Sequence, residues 1–277
     1  MPNTSPPEIA VIGGSGFYAF LDDAEEFRVD TPYGEPAGRI AVGKVADRLV
    51  AFLPRHGKGH ELAPHTINYR ANIWALRSLG VRQVLAPCAV GGLRDDVSRG
   101  DIVVPDQLVD RTHRRVQSYV DSGAAHVPFA DPYCGRLAET LTAADATVRK
   151  GGTMVVIEGP RFSTRAESQH YAAQGWSLIN MTGHPEAVLA REMSMCYASI
   201  ALVTDMDAGM SAAEAVSQEQ VFAAFAANIE RLKTLLRQVI AALPPRGDCG
   251  CGSWADGMDL PFEVPGHRLS ETGGHRP

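Results

Sequence analysis

Between Val155 and Gly209 the chain repeats one pattern three times. A short apolar run rich in β-branched residues breaks off at a cluster of small or polar residues. The breaks fall at Glu158 to Ser163, Asn180 to Gly183 and Thr204 to Asp207. Apolar runs of this length without alternation, bounded by turn residues, are predicted to be buried strands of an α/β sheet. In such sheets a ligand sits outside the carboxyl ends of the strands. On this reading Phe162, Met181, Thr182, Asp205 and Asp207 line one pocket. An aromatic ring, a thioether, a hydroxyl and two carboxylates suit a ligand that is flat, partly apolar and able to hydrogen-bond.

The amino-terminal half supplies strand ends of a different character. Ile9 to Ile12 runs into Gly13, Gly14, Ser15 and Gly16, a turn whose amides can form an anion nest with the Ser15 hydroxyl as an added donor. A plain tight turn needing positive φ reads equally well. Gly14 to Ala19 also satisfies the loose dinucleotide pattern G-x-G-x-x-A, but the stretch after it is too short for a βαβ unit. Arg39 to Val45 and Arg48 to Pro54 read as a hairpin turning at Lys44 to Asp47. The second strand delivers Arg55 and His56, basic groups suited to an oxyanion. Val84 to Val90 is a further buried strand, ending at Gly91 and Gly92. One phosphate held jointly by Ser15, Arg55, His56, Cys88 and Ala89 accounts for all three ends.

Asp101 to Pro105 and Gln107 to Val109 continue the sheet, and Asp110 to Arg115 reads as a solvated or salt-bridged turn. Helices are expected over Thr66 to Leu79, Arg136 to Ala146, Arg161 to Gln174 with Ser163 as cap, Pro185 to Met193 and Ser211 to Leu243. His126 to Cys134 is a loop. The expectation is a single α/β domain over residues 1–243, then a tail over 244–277, rich in Gly, Pro and charge, that is irregular or partly disordered or wraps a neighbouring subunit. A net charge of −6 argues against a nucleic-acid or anionic-membrane surface. No apolar run is long enough to span a bilayer, and the first residues lack signal-peptide character, so the chain is expected in the cytoplasm. Five cysteines are few for a disulfide scaffold. No Cys/His spacing resembles a zinc site, so no metal is expected. Cys249 and Cys251 read as two free thiols in the tail, or as a strained, labile disulfide.

Asp205 and Asp207 lie two residues apart, so at an extended strand end their side chains face the same way. Burial and mutual repulsion raise carboxylate pKa values, which lets one hold a proton near neutrality and give it to a leaving group. A turn or capping pair, or a magnesium site, is the competing reading. The latter would need further convergent carboxylates, and only Glu158 is at hand.

Taken in order, Ile12 to Gly16, Pro54 to Gly57, Gly100 to Val104, His126 to Pro128, Val156 to Ser168, Ile179 to Thr182, Pro185 to Glu186 and Thr204 to Asp207 resemble the motifs of the trimeric nucleoside phosphorylases, most closely the branch that cleaves 5′-methylthioadenosine. The resemblance spans about residues 9–240. It implies a mixed twisted sheet flanked by helices, a homotrimer or dimer of trimers, and no cofactor beyond inorganic phosphate as co-substrate. It implies a pentosyltransferase of purine and methionine salvage that releases adenine and 5-methylthioribose 1-phosphate. Carried over residue by residue, phosphate falls to Ser15, Arg55, His56, the amide of Ala89, and Thr182. Met181 lies against the ribose, Phe162 stacks near the base, Asp205 protonates N7, and Asp207 accepts from the 6-amino group. His126 reaches the 5′ end of the substrate in a neighbouring subunit.

Two positions depart from the family pattern. Cys88 stands where the family uses a Thr on the phosphate, and a thiol is the poorer donor. Gln218 stands where this branch carries a small apolar residue near the 5′ substituent, which opens the site to adenosine, while Phe222 one helical turn on keeps an apolar wall. The alternatives are a broader purine nucleoside phosphorylase acting on adenosine or 6-oxopurine nucleosides, a hydrolytic nucleosidase, a dinucleotide-binding oxidoreductase, and an inactive nucleoside-binding protein.

Overall fold

A computed structural model describes residues 6–14, 17, 20–208, 216–247 and 249–266. Its centre is β5 (Gln83–Gly92), which is almost wholly buried. One edge of β5 pairs along its length with β11 (Cys196–Met206), in parallel. The other edge is shared. β1 (Ile9–Gly13) runs parallel to it as far as Leu85, and β10 (Leu178–Asn180) takes over antiparallel from Gly91. The sheet therefore forks at β5, and residues 86–90 lie where β1 has left and β10 has not yet joined.

One arm of the fork continues from β1 to β4 (Arg48–Pro54), β3 (Ile40–Val45) and β2 (Asp22–Phe27). The other runs from β10 to β9 (Thr153–Ile157) and β7 (Gln107–Arg111), and beyond β11 lie β6 (Ile102–Val104) and β8 (Arg149–Lys150). The mixture of parallel and antiparallel pairs is the mixed sheet expected, in a single α/β domain. β3 and β4 form the expected hairpin, turning through Ala46 and Asp47 at positive φ.

Two helical layers cover the sheet. α1 (Tyr69–Ser78) and α4 (Gly183–Glu192) close one face over Trp74, Tyr197 and Met154. α2 (Gly135–Ala144) and α5 (Gln218–Ala242) close the other over Leu85, Ile200 and Leu236. Because β11 is covered on both faces, its sequence shows no polar alternation.

Several expectations need correction. β2 was not foreseen: its sequence is acidic and its residues lie exposed on an outer strand, so no hydrophobic period marks it. α3 (Arg165–Ala173) starts later than expected. Its cap is Thr164 rather than Ser163: Thr164 and Glu167 form a reciprocal capping box. α5 is capped by Ser217, whose side chain accepts from the Gln220 amide at 3.2 Å. The first residues of the longer helix expected there, 211–215, lie outside the described residues, as does Ser15. Of the two readings of the Asp110 to Arg115 turn, the salt-bridged one holds: Arg115 Nε lies 3.8 Å from the Glu158 carboxylate. The Arg115 side chain is enclosed and donates to the carbonyls of Ile157, Glu158 and His184.

The described tail is irregular but is held against the body. Phe262 meets Tyr119 at 5.8 Å between ring centroids, and Arg77 donates to the Pro265 carbonyl at 2.6 Å. Cys251 is buried, and neither tail cysteine is in a disulfide. The expected free thiols are there, and what differs is their setting, since Cys251 is buried against the body rather than exposed in a loose tail.

Candidate active site

The fork at β5 opens into a cavity of about 490 Å³. Arg55, His56, Cys88, Ala89, Phe162, Met181, Thr182, Asp205, Asp207, Gln218 and Phe222 all line it, joined by Gly14, Asn180 and Thr204. Residues scattered over the whole chain meet because five strand ends converge there. Ser15 lies outside the described residues, although its neighbour Gly14 is on the wall. His126 is exposed and does not line this cavity. Phe222 is 47 % exposed and meets His60 edge-on at 5.5 Å, so it stands at the rim.

At the basic side, Arg55 is held on all flanks. Its Nε and Nη2 donate to the two oxygens of Glu186 at 2.6 and 3.0 Å. Nη2 also donates to the Ile12 carbonyl, and Nη1 to the Pro87 carbonyl. Burial works against the guanidinium's charge, but the Glu186 carboxylate outweighs it and holds the Arg55 pKa above its ordinary value. Four of five N–H groups are thus committed to protein, leaving one Nη1 hydrogen for a ligand. Glu186 is itself fully buried and also accepts from the Tyr197 hydroxyl at 2.8 Å. Arg55 clamps β1, β5 and α4 together as much as it faces the cavity.

His56 is pushed down to a pKa of about 4, chiefly by burial and further by Arg55. It is neutral near pH 7, and its Nδ1 lies 2.8 Å from the Leu62 carbonyl. A carbonyl can only accept, so Nδ1 carries the proton and Nε2 is left as an acceptor. Asn180 braces the neighbouring wall. Its Oδ1 accepts from the amides of Thr182 and Gly183, and its Nδ2 donates to the Ala89 carbonyl at 3.1 Å. Cys88 lies 3.3 Å from the Ser199 hydroxyl, and burial raises its thiol pKa, so it enters the cavity wall as a neutral thiol.

The acidic side is built by β11. A bulge between Val203 and Asp205 shifts the register and sets Asp205 opposite Gly91. Asp205 and Asp207 are both buried. The Asp205 pKa rises to about 6, mainly through burial and further through Asp207, opposed by the Thr204 hydroxyl that donates at 2.8 Å. Asp207 is also raised by burial, opposed chiefly by Ser168, whose hydroxyl donates at 2.5 Å. A side chain at Gly91 would have no room. Its Cβ would come within 3.1 Å of the Asp205 carboxylate, 3.2 Å of Asp207 and 2.9 Å of Ile179. The glycine thus lets the two carboxylates approach β5.

Sequence reasoning missed Glu186 and Ser168 as supports. Both belong to the recognised motifs, but their partners are 131 and 39 positions away.

A buried acid poised near neutrality beside a second carboxylate, sharing a cavity with a clamped arginine and a neutral histidine acceptor, marks a site for acid-assisted group transfer on a flat hydrogen-bonding ligand. The comparisons agree. The model of the phosphorylase superfamily matches residues 8–241, and the chain belongs to that family. It is 55% identical to a purine nucleoside phosphorylase of Streptomyces coelicolor over 96% of this chain and all of the relative. It is 57% identical to an S-methyl-5′-thioadenosine phosphorylase of Mycolicibacterium smegmatis over 93% of this chain and 99% of the relative. A methylthioadenosine phosphorylase from an antarctic soil metagenomic library superposes with a TM-score of 0.83 at 39% identity, covering 91% of each chain.

Proposed function

We propose that this phosphorylase cleaves 5′-methylthioadenosine with inorganic phosphate, giving adenine and 5-methylthioribose 1-phosphate. The observation that carries the reading is the pairing of Asp205, raised to about 6, with Asp207 on the wall of the cavity that also holds Arg55 and His56. In the reaction a phosphate oxygen bonds to C1′ as the C1′–N9 bond breaks and its electron pair passes to the purine. Asp205 supplies the proton that N7 needs as the base departs, at the point where an oxocarbenium-like sugar has developed. Phosphate loses one proton overall and adenine gains one, and the neutral His56 Nε2 is the acceptor on the phosphate side. Thr182, the Ala89 amide and the remaining Arg55 hydrogen complete the phosphate shell, with Ser15 from the glycine turn.

Asp207 accepts from the 6-amino group. A carboxylate repels a 6-oxo group, and leaving a buried polar group mispaired costs on the order of 1–3 kcal/mol. Phe162 stacks on the base and Met181 lies against the ribose. Gln218 offers a polar contact near the 5′ end, so adenosine is a slower second substrate. His126, exposed and outside its own cavity, completes the 5′ end of a neighbour's site in a homotrimer. The reaction needs no organic cofactor, and the enzyme works in the cytoplasm. No described helix is long and apolar enough to cross a membrane.

The test is kcat/KM for methylthioadenosine, adenosine and inosine in saturating phosphate. The expected order is methylthioadenosine, then adenosine, then inosine, the last lower by at least ~10-fold. Inosine turned over as fast as methylthioadenosine would overturn the assignment.

A further inference from the structure

Away from the cavity, four cysteines from three separate chain segments come together. Cys134 is the N-cap of α2, Cys196 opens β11, and Cys249 and Cys251 come from the tail. Their Sγ atoms all lie within 4.8 Å of one another, three of the residues are buried, and none is in a disulfide. Cys196 and Cys249 approach to 3.2 Å. Asp205 follows Cys196 along β11 by nine residues, which at strand rise puts the cluster ~30 Å from the acidic side of the cavity. Nothing in the proposed reaction uses it.

We propose that these four thiolates bind one zinc ion, which fastens the tail to the body of the enzyme. Zinc in structural sites takes four ligands tetrahedrally with Zn–S near ~2.3 Å, so ligand sulfurs sit ~3.8 Å apart. Here every pair lies within 4.8 Å, so shifts of about an ångström reach that geometry, and three separate chain segments meet in the cluster. A tetrathiolate zinc centre carries a net charge of −2, and two features around the cluster offset it.

Arg136 is the second residue of α2. Its Nη2 donates to Gln83 at 2.5 Å and reaches Cys196 Sγ at 3.6 Å, while its Nε and Nη1 are buried without a hydrogen-bond partner. A buried guanidinium with idle donors is expensive unless an anionic group faces it. Cys134 sits at the amino end of α2, where the helix dipole favours a negative charge. Binding the metal releases the four thiol protons and forms four Zn–S bonds, with no change of oxidation state. Paired disulfides, the other chemistry open to such a cluster, would need an oxidant.

The tail's part follows from its own contacts. Beyond Cys251 the described residues run on to Phe262 against Tyr119 and to Pro265 at Arg77. Two ligands ahead of that stretch fix where it starts.

The experiment uses the full chain, expressed without added metal and purified under reducing conditions without chelator. Elemental analysis should give close to one zinc per chain. Stripping the metal under reducing conditions and adding cobalt should give thiolate-to-cobalt charge-transfer bands and the d–d absorption of a tetrahedral site. The double variant Cys249→Ser, Cys251→Ser should lose the metal and expose the tail to proteolysis while keeping phosphorolysis. The proposal is overturned by reduced protein that takes up no zinc when offered it and whose thiols all titrate freely. It is overturned equally by two disulfides in place of metal in freshly purified protein, or by a double variant that retains one zinc per chain.

Discussion

Replacing Asp205 by Asn separates what the acid does for the reaction from what it costs the fold. Burial, helped by Asp207, moves this carboxyl from an ordinary 3.8 to about 6. Near pH 7.5 the folded protein must therefore ionise a group that the unfolded chain ionises far more easily. At about 1.4 kcal/mol per pKa unit, the ionised Asp205 destabilises the native state by roughly 3 kcal/mol. Asp205→Asn removes that charge, and its amide oxygen still accepts from the Thr204 hydroxyl, 2.8 Å from Asp205. The amide's two new donors face the cavity and are only partly satisfied, so the net gain is about 1–3 kcal/mol.

The pH dependence has a definite sign. Between 3.8 and about 6 the folded state holds a proton that the unfolded chain has released, so wild-type stability falls as pH rises through that window. The variant's advantage is full above the window and vanishes below it. Urea unfolding of both proteins near pH 7.5 and near pH 4 reads this directly. Turnover of the variant should meanwhile drop ~10²–10⁴-fold with little change in KM, because the lost interaction acts in the transition state. A variant less stable than wild type near pH 7.5, or equally stabilised at both pH values, would refute the reasoning.

Three further outcomes follow from the same geometry. Asp207→Asn should raise the ratio of inosine to methylthioadenosine turnover by ~10-fold or more, since an amide can donate to a 6-oxo group; competition assays with both nucleosides read the ratio. Glu186→Gln leaves the buried Arg55 guanidinium without its counter-charge, so it should cost about 3–5 kcal/mol, lower the Tm by ~10 °C and raise KM for phosphate. Calorimetry and phosphate titration check the two effects. Cys88→Thr restores a hydroxyl at the phosphate wall and should lower KM for phosphate by ~3–10-fold, the worth of one ordinary hydrogen bond, in initial-rate measurements.

The sequence carried the parts of this molecule that follow from local rules. β5 and β11 announce themselves because burial on both faces forces unbroken apolar runs, and their polar ends mark the cavity. Spacing placed the Asp205 and Asp207 side chains on one side of a strand end, while their separate roles came from the family resemblance. What escaped was either exposed or long-range. The acidic β2 buries too little to leave a hydrophobic period. Thr164 outdid Ser163 as cap because Glu167 stands three residues on to answer it. The Arg55–Glu186 clamp joins positions 131 apart, so Arg55 reads from sequence as a free cation when most of its donors are already taken. The cysteine cluster defeats any spacing rule, since Cys134 and Cys196 meet Cys249 and Cys251 only after the tail has folded back.

At the centre of the proposed function, phosphate is joined to the sugar in this cavity as the base leaves. Phosphorus NMR of the enzyme with methylthioadenosine and phosphate tests it most directly. The prediction is a new sugar-phosphate ester resonance that grows in step with free adenine, and no adenine when phosphate is left out. Adenine released without phosphate, or alongside an unchanged inorganic phosphate signal, would contradict it and make the enzyme a hydrolase.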